Sequence, residues 1–417
     1  MEKSGKFCLT SLERNWILYD VGNSAFVLMV ATLIPIFFNA LAEAGGLSSV
    51  EYLAYWGYAS SAVTVITAVL SPILGTVADT KGFKKPIFIL CVFVGIVGCC
   101  AMGAVSAWLP FLVIFVIAKV GFSGSLVFYD SMLSDVTTPE RMDEVSSRGY
   151  AWGYIGSCVP FVVCLGLVLG AGSIGISQMT ALNLALLLTA AWWLLTTLPL
   201  LKSYKQLYYV EVEKHAVRQS FARIGHTLRH LPEDKQVFWF LLAFFCYIDG
   251  VYTIIDMATA YGTALGLDTT GLLLALLVTQ IVAFPSALIF GRLSNKYPSA
   301  KLIPVCIAAY AGIAVFAFFL TRQWQFWVLA VIVGMFQGGV QALSRSHFAK
   351  IIPPEKSGEY FGLFDICGKG ASFLGTMIVS VGSQLTGSAN VGVGSLIVLF
   401  IVGFVLFRVS CRQGETA

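Results

Sequence analysis

Seven ionisable side chains stand inside apolar stretches of this sequence: Asp20, Lys119, Asp130, Asp249, Asp256, Asp365 and Lys369. A charge in such a setting costs about 2.5–3.5 kcal/mol on an insertion scale, so each needs a partner, water or a solute. A carboxylate there can hold an ammonium group or carry a proton, and a lysine can hold an anion. Asp20 suits the first two roles; its plainer reading is a salt bridge at a helix end. Asp249 and Asp256 are seven apart, hence on one helix face two turns from each other, where a cation or amine can pass between them. The bland alternative for this pair is hydrogen bonding to Tyr247, Tyr252 or hydroxyls of another helix. Lys119 has no acid within one turn and wants a carboxylate from elsewhere or a substrate anion. Asp365 and Lys369 are spaced i, i+4, which favours a mutually neutralising structural pair. Gln337, Gln341 and Arg345 recur every four residues as a polar stripe, and Asn23 joins Asp20 and Asp130 on the expected substrate or proton pathway.

The elements that carry these residues follow from composition. Of the 417 residues 58% are hydrophobic and 12% charged, with a mean hydropathy of +0.83; a globular domain carries about twice that charge. A soluble chain is excluded. Apolar runs predict twelve transmembrane helices, over 16–41, 52–78, 86–106, 108–134, 148–170, 179–201, 237–264, 270–291, 301–320, 324–347, 360–385 and 391–408. No secretory cleavage pattern follows the polar start, and the end, CRQGETA, is neither a lipidation box nor an organelle address. The ten cysteines form no CxxC pair, so neither a disulfide framework nor a metal site is expected.

If the N-terminus is cytoplasmic, 23 of the 26 Lys and Arg fall on the inner side; Arg322 falls outside, and Lys119 and Lys369 lie within spans. This asymmetry predicts both termini in the cytoplasm. The longest connector, 202–236, separates six helices in 1–201 from six in 237–417. Within it Val217, Phe221, Ile224, Leu228 and Leu231 make an apolar stripe beside Arg218, Arg223 and Arg229, predicting an amphipathic helix on the membrane surface. His226 and His230 are one turn apart with no third ligand evident. The halves echo each other: GTVADTKGFKK after the second span and GRLSNKYPSAK after the eighth lie 216 residues apart. Such parallel repeats mark the major facilitator fold.

Gly75, Asp79, Gly82, Lys84 and Lys85 match G-x-x-x-D-x-x-G-x-[RK]-[RK], so this loop resembles the signature of the major facilitator superfamily. WILYDVGNSAF (16–26), YIDGVYTIIDMATAYG (247–262) and GMFQGGVQALSRSHFAKIIPPEKSGEYFGLFDICGKGASFLG (334–375) resemble the facilitators related to autophagy-associated vacuolar amino-acid effluxers, including bacterial members. The resemblance covers essentially the whole chain. It implies an all-α fold of two six-helix bundles in pseudo-twofold arrangement, a cavity lined by spans 1, 4, 7 and 10, and a cytoplasmic latch at Gly75, Asp79, Gly82, Lys84 and Lys85. Topogenic charge is the plainer role for those lysines. The family's opening usually reads YDWANSA, whereas Val21-Gly22 stand here, so packing near Asp20 is expected to differ.

Other motifs fail on context. Gly170-Ala-Gly172-Ser-Ile-Gly175 fits GxGxxG but follows a membrane helix rather than a strand, Gly368-Lys369 lacks phosphate-loop spacing, and neither GxSxG nor HExxH occurs. The expectation is therefore a transporter rather than an enzyme, without cofactor, metal or nucleic acid. It is expected to be a monomer in a bacterial cytoplasmic membrane, moving a small polar solute by alternating access, with amino-acid efflux and proton coupling as the finer reading. The rivals are efflux of amphipathic drugs or lipids, and a non-transporting sensor or scaffold.

Overall fold

In lipid a backbone must satisfy its own polar groups, which makes every long apolar run a helix. The computed structural model describes residues 7–211, 225–227 and 229–416. Among these residues, eleven helices are long and apolar enough to cross a membrane. The twelfth, Ser357–Thr386, has 30 residues and is about 45 Å long at 1.5 Å per residue. In order, the spans are 1, Ser11–Ala31 with Leu33–Ala44; 2, Ser49–Ala78; 3, Lys84–Met102; 4, Trp108–Ser131; 5, Met142–Leu169; 6, Gln178–Ser203; 7, Lys235–Ala264; 8, Thr269–Leu293; 9, Ser299–Phe318; 10, Gln323–Ile351; 11, Ser357–Thr386; and 12, Ala389–Gly394 with Ile397–Thr416.

Side-chain caps start several of them. Thr10 with Glu13 and Ser48 with Glu51 form capping boxes on spans 1 and 2, and Asp234 and Asp268 accept the amides of Val237 and Gly271 on spans 7 and 8. Three boundaries differ from the sequence expectation. Span 1 is broken at Thr32, whose hydroxyl donates to the Leu28 carbonyl. Span 12 is broken after Gly394. Span 5 starts at Met142 rather than 148, because Asp143 and Glu144 suit the positive end of a helix dipole.

Spans 1–6 pack on one another, as do spans 7–12; across the two groups span 2 meets span 11, and span 5 meets spans 8 and 10. The face on which spans 2, 4, 8 and 10 end carries most of the Lys and Arg and is called the basic face below. Residues 204–211 of the connector run along it, and Leu231–Glu233 form a single 3-10 turn. The stripe residues Val217, Phe221, Ile224 and Leu228 lie outside the described residues. The Val21-Gly22 departure has a packing reason. A Cβ at Gly22 would sit 1.8 Å from Thr196 Oγ1, and one at Gly156 of span 5 would sit 2.5 Å from Val21 Cγ1.

Candidate functional site

Arg345, on the last two turns of span 10, is 2% exposed and reaches into the other bundle. Its Nη1 donates to Asp130 Oδ1 at 2.9 Å, its Nε to Ser146 Oγ at 2.9 Å and its Nη2 to the Ser146 carbonyl at 3.0 Å. The guanidinium carbon lies 4.3 Å from the Tyr150 ring centre and 4.7 Å from that of Trp16, and Trp16 itself stacks on Tyr129 at 4.3 Å. A planar, weakly hydrated cation suits a carboxylate at its edge and aromatic faces above it. Along the same stripe, Gln341 Oε1 accepts from Tyr154 of span 5 at 3.2 Å, and Gln337 is buried with its Oε1 unpartnered among the described residues.

A second set of contacts joins the bundles on the basic face. Asp79 caps the start of span 11, accepting the amides of Gly358 and Glu359 at 2.8 Å each. Beside it Lys84 Nζ donates to Ser357 Oγ at 2.8 Å and pairs with Asp135 at 3.4 Å. Both Asp79 and Lys84 are completely buried. Burial pushes the Asp79 carboxyl up to about 7, against the pull of Lys84 and the two amides. Gly75 allows the approach, since a Cβ there would lie 2.1 Å from the Gly358 carbonyl oxygen. Gly82 turns the loop at φ 80°, open to glycine without strain. Lys85 reaches the Tyr204 carbonyl at 3.5 Å.

The echoed loop occupies the related position across the pseudo-twofold. Gly291 at the end of span 8 lies against Ser147 and Glu144 of span 5, and Asn295 Nδ2 donates to Glu144 Oε2 at 2.7 Å. Nearby, Asp143 accepts from Ser346 Oγ at 2.6 Å and pairs with Lys350 at 2.6 Å. These partners were not anticipated. Their signal lay in the acidic residues of the first turn of span 5, which read as loop while that helix was placed from 148.

The remaining sequence candidates separate by environment. Asp20 and Asn23 are buried; Asn23 Nδ2 donates to Asp20 Oδ1 at 3.4 Å, while Asp20 Oδ2 has no hydrogen-bond partner among the described residues. Asp20 also lies within electrostatic reach of Arg345. Asp249 is completely buried, accepting from the Gly375 amide at 2.8 Å and Thr253 Oγ1 at 3.3 Å. It braces span 7 against span 11, whereas the Asp256 side chain is exposed. Lys119, half-buried on span 4, holds its ammonium 4.7 Å from the Phe122 ring centre and within electrostatic reach of Asp256 on span 7. Asp365 accepts from Ser71 Oγ of span 2 at 2.7 Å, a contact between bundles. The side chain of its expected partner Lys369 lies outside the described residues. In the connector, His230 Nδ1 bonds Glu233 at 2.8 Å.

Hydrogen bonds and ion pairs between the bundles thus cluster toward the basic face, while Lys119 and Asp256 oppose each other deeper in, one from each bundle. Such an arrangement can hold the basic face shut.

Known proteins fit this geometry. A family model described as vacuole effluxer Atg22 like matches residues 12–416. The "Uncharacterized MFS-type transporter YxiO" of Bacillus subtilis (strain 168) is 42% identical over 412 residues, covering 98% of this chain and 96% of its own. "Autophagy-related protein 22" of Coccidioides immitis (strain RS) is 25% identical over 315 residues, 65% of this chain, which spans about half, 51%, of the fungal protein. Among solved structures, the human organic anion transporter MFSD10 superposes with a TM-score of 0.72 at 14% identity, covering 95% of this chain and 98% of its own. FucP in its outward conformation gives 0.71 at 16%, covering 96% and 97%. The chain therefore belongs to the Atg22-like vacuole effluxer family and is an integral membrane transporter of the major facilitator type.

Proposed function

We propose that this transporter exports a small zwitterion, most simply an amino acid, in exchange for protons by alternating access. The observation that carries the reading is the pairing of opposite charges between the bundles, Lys119 from span 4 and Asp256 from span 7. One suits a carboxylate and the other an ammonium, and a solute bridging them is held by both bundles at once. The family's description as effluxers supports the direction.

In this reading residues 1–201 and 237–417 are the rocking bodies and 202–236 their tether. The basic face is cytoplasmic, with both termini there, by the positive-inside rule. The protein with that face shut is then the outward-facing state of a monomer in the cytoplasmic membrane. The contacts of Asp130, Arg345, Asp79 and Lys84 form its inner gate, and Asp20, with one oxygen unsatisfied, is the proton carrier.

Counterflow of labelled amino acids in proteoliposomes tests the substrate, and a lack of uptake across a broad panel rejects it. For the carrier role, Asp20→Asn is expected to abolish pH-driven transport while exchange persists; equal loss of both would make Asp20 structural.

A second reading, export of amphipathic organic molecules, draws on an apolar pocket inside the bundle of spans 7–12, lined among others by Met257, Tyr261, Phe326, Leu329 and Val333. Uptake of such molecules, with amino acids inert, would favour it.

A further inference from the structure

The connector segment Tyr204–Glu211 makes a dense set of contacts that the gate does not require for chain continuity alone. Tyr204, 2% exposed, donates its hydroxyl to Asp135 Oδ2 at 2.6 Å, and the amides of Leu207 and Tyr208 donate to Asp135 Oδ1 at 2.9 and 3.0 Å. Gln206 accepts from the Gly82 amide at 2.9 Å and donates to the Ala78 carbonyl at 3.1 Å. Val210 then donates to the Asp79 carbonyl at 2.8 Å, forming a parallel bridge with Thr80, and Glu211 pairs with Lys81 at 3.3 Å. Every one of these partners lies in residues 78–135, so the segment moves with the first bundle.

Asp135 is 3% exposed, and burying so polar a group is costly unless donors surround it. Three of its donors come from the connector. The fourth is Lys84, whose ammonium also holds Ser357 at the start of span 11. A line of contacts therefore runs from the connector through Asp135 and Lys84 to the other bundle.

We propose that Tyr204–Glu211 is a strap of positioning residues: it holds Asp135 in place and aimed at Lys84, and so sets how firmly the basic face stays shut. The proposal rests on the gate reading above. When that face opens, water replaces a missing donor on Asp135; when it is shut, nothing does. Loss of the Tyr204 hydroxyl therefore weakens the shut state more than the open one.

The test uses the full chain in nanodiscs, with spin labels carried by unnatural amino acids at Glu140 and Lys296 so that the ten cysteines stay in place. Both sites are exposed, one on each bundle. Tyr204→Phe is expected to lower the shut-to-open ratio about tenfold. In an Asp135→Asn background the same substitution should change the ratio less than twofold, which a merely destabilising loss of packing would not obey. An undiminished effect in that background, or no effect of Tyr204→Phe in the native background, overturns the strap. Asp79→Ala separates the two ideas. If it leaves the ratio unchanged, the gate reading itself fails; if it opens the face while Tyr204→Phe does not, only the strap fails.

Discussion

Asp130→Asn should spring the basic face open. The substitution keeps the side-chain shape and removes the carboxylate bonded to Arg345, which is 2% exposed and 2.9 Å away. At that separation, with an effective dielectric constant of about 20, the attraction is about 6 kcal/mol before desolvation is set against it. Removing one partner of a buried pair costs about 3–5 kcal/mol. The low end applies here, because Arg345 keeps two bonds to Ser146 and the aromatic faces of Trp16 and Tyr150. In the open state water solvates Arg345 and little is lost. The shut-to-open ratio should therefore fall by about 100-fold. Distance distributions between spin labels at Glu140 and Lys296 report that ratio directly, and Asp130→Glu should recover part of it. A change smaller than about threefold would refute the idea that this pair holds the gate.

The other expectations are narrower. Lys119→Gln should raise the KM for a zwitterion about tenfold or more while leaving a carboxylate-free amine analogue unaffected, measured by counterflow of both. Gly75→Ala puts a Cβ 2.1 Å from a backbone oxygen that cannot swing aside, so the same spin-label pair should read an open basic face. The gate should also respond to pH. With the Asp79 carboxyl near 7 when buried and near its ordinary value of about 3.9 once hydrated, shutting takes up a proton between those values. The shut fraction should rise as pH falls from 8 toward 5 and lose that dependence in Asp79→Asn; a shut fraction that falls on acidification reverses the sign and refutes it.

How much of this was legible beforehand varies by residue. Asp79 and Lys84 were named from a loop pattern, and the structure puts both at a helix start in the other bundle. Asp130 and Arg345 were named separately, one as a buried acid and the other as the end of a polar stripe. Their 215-residue separation hides the bond between them. Asp249 and Asp256 looked equivalent because helical spacing fixes a shared face, but it says nothing about what packs there. Gly375 of span 11 meets one of them, and the side chain of the other is exposed. Asp135 and Glu144 drew no notice, since polar residues near span ends are ordinary until a distant chain segment covers them.

What the order of residues determined unaided was the membrane setting and the helical architecture, and it supplied the expectation of a split into halves and of the sidedness of charge. Those depend on local properties: apolar length against bilayer thickness, backbone self-satisfaction, and the count of Lys and Arg per loop. Only the tertiary structure decided which charges are braced, which are left half-bonded and which approach each other from opposite bundles. Helices that cross lipid are free to rotate and pair in many ways at similar hydrophobic gain. The choice among those pairings is made by close contacts between small residues and by the few donors that reach a buried carboxylate.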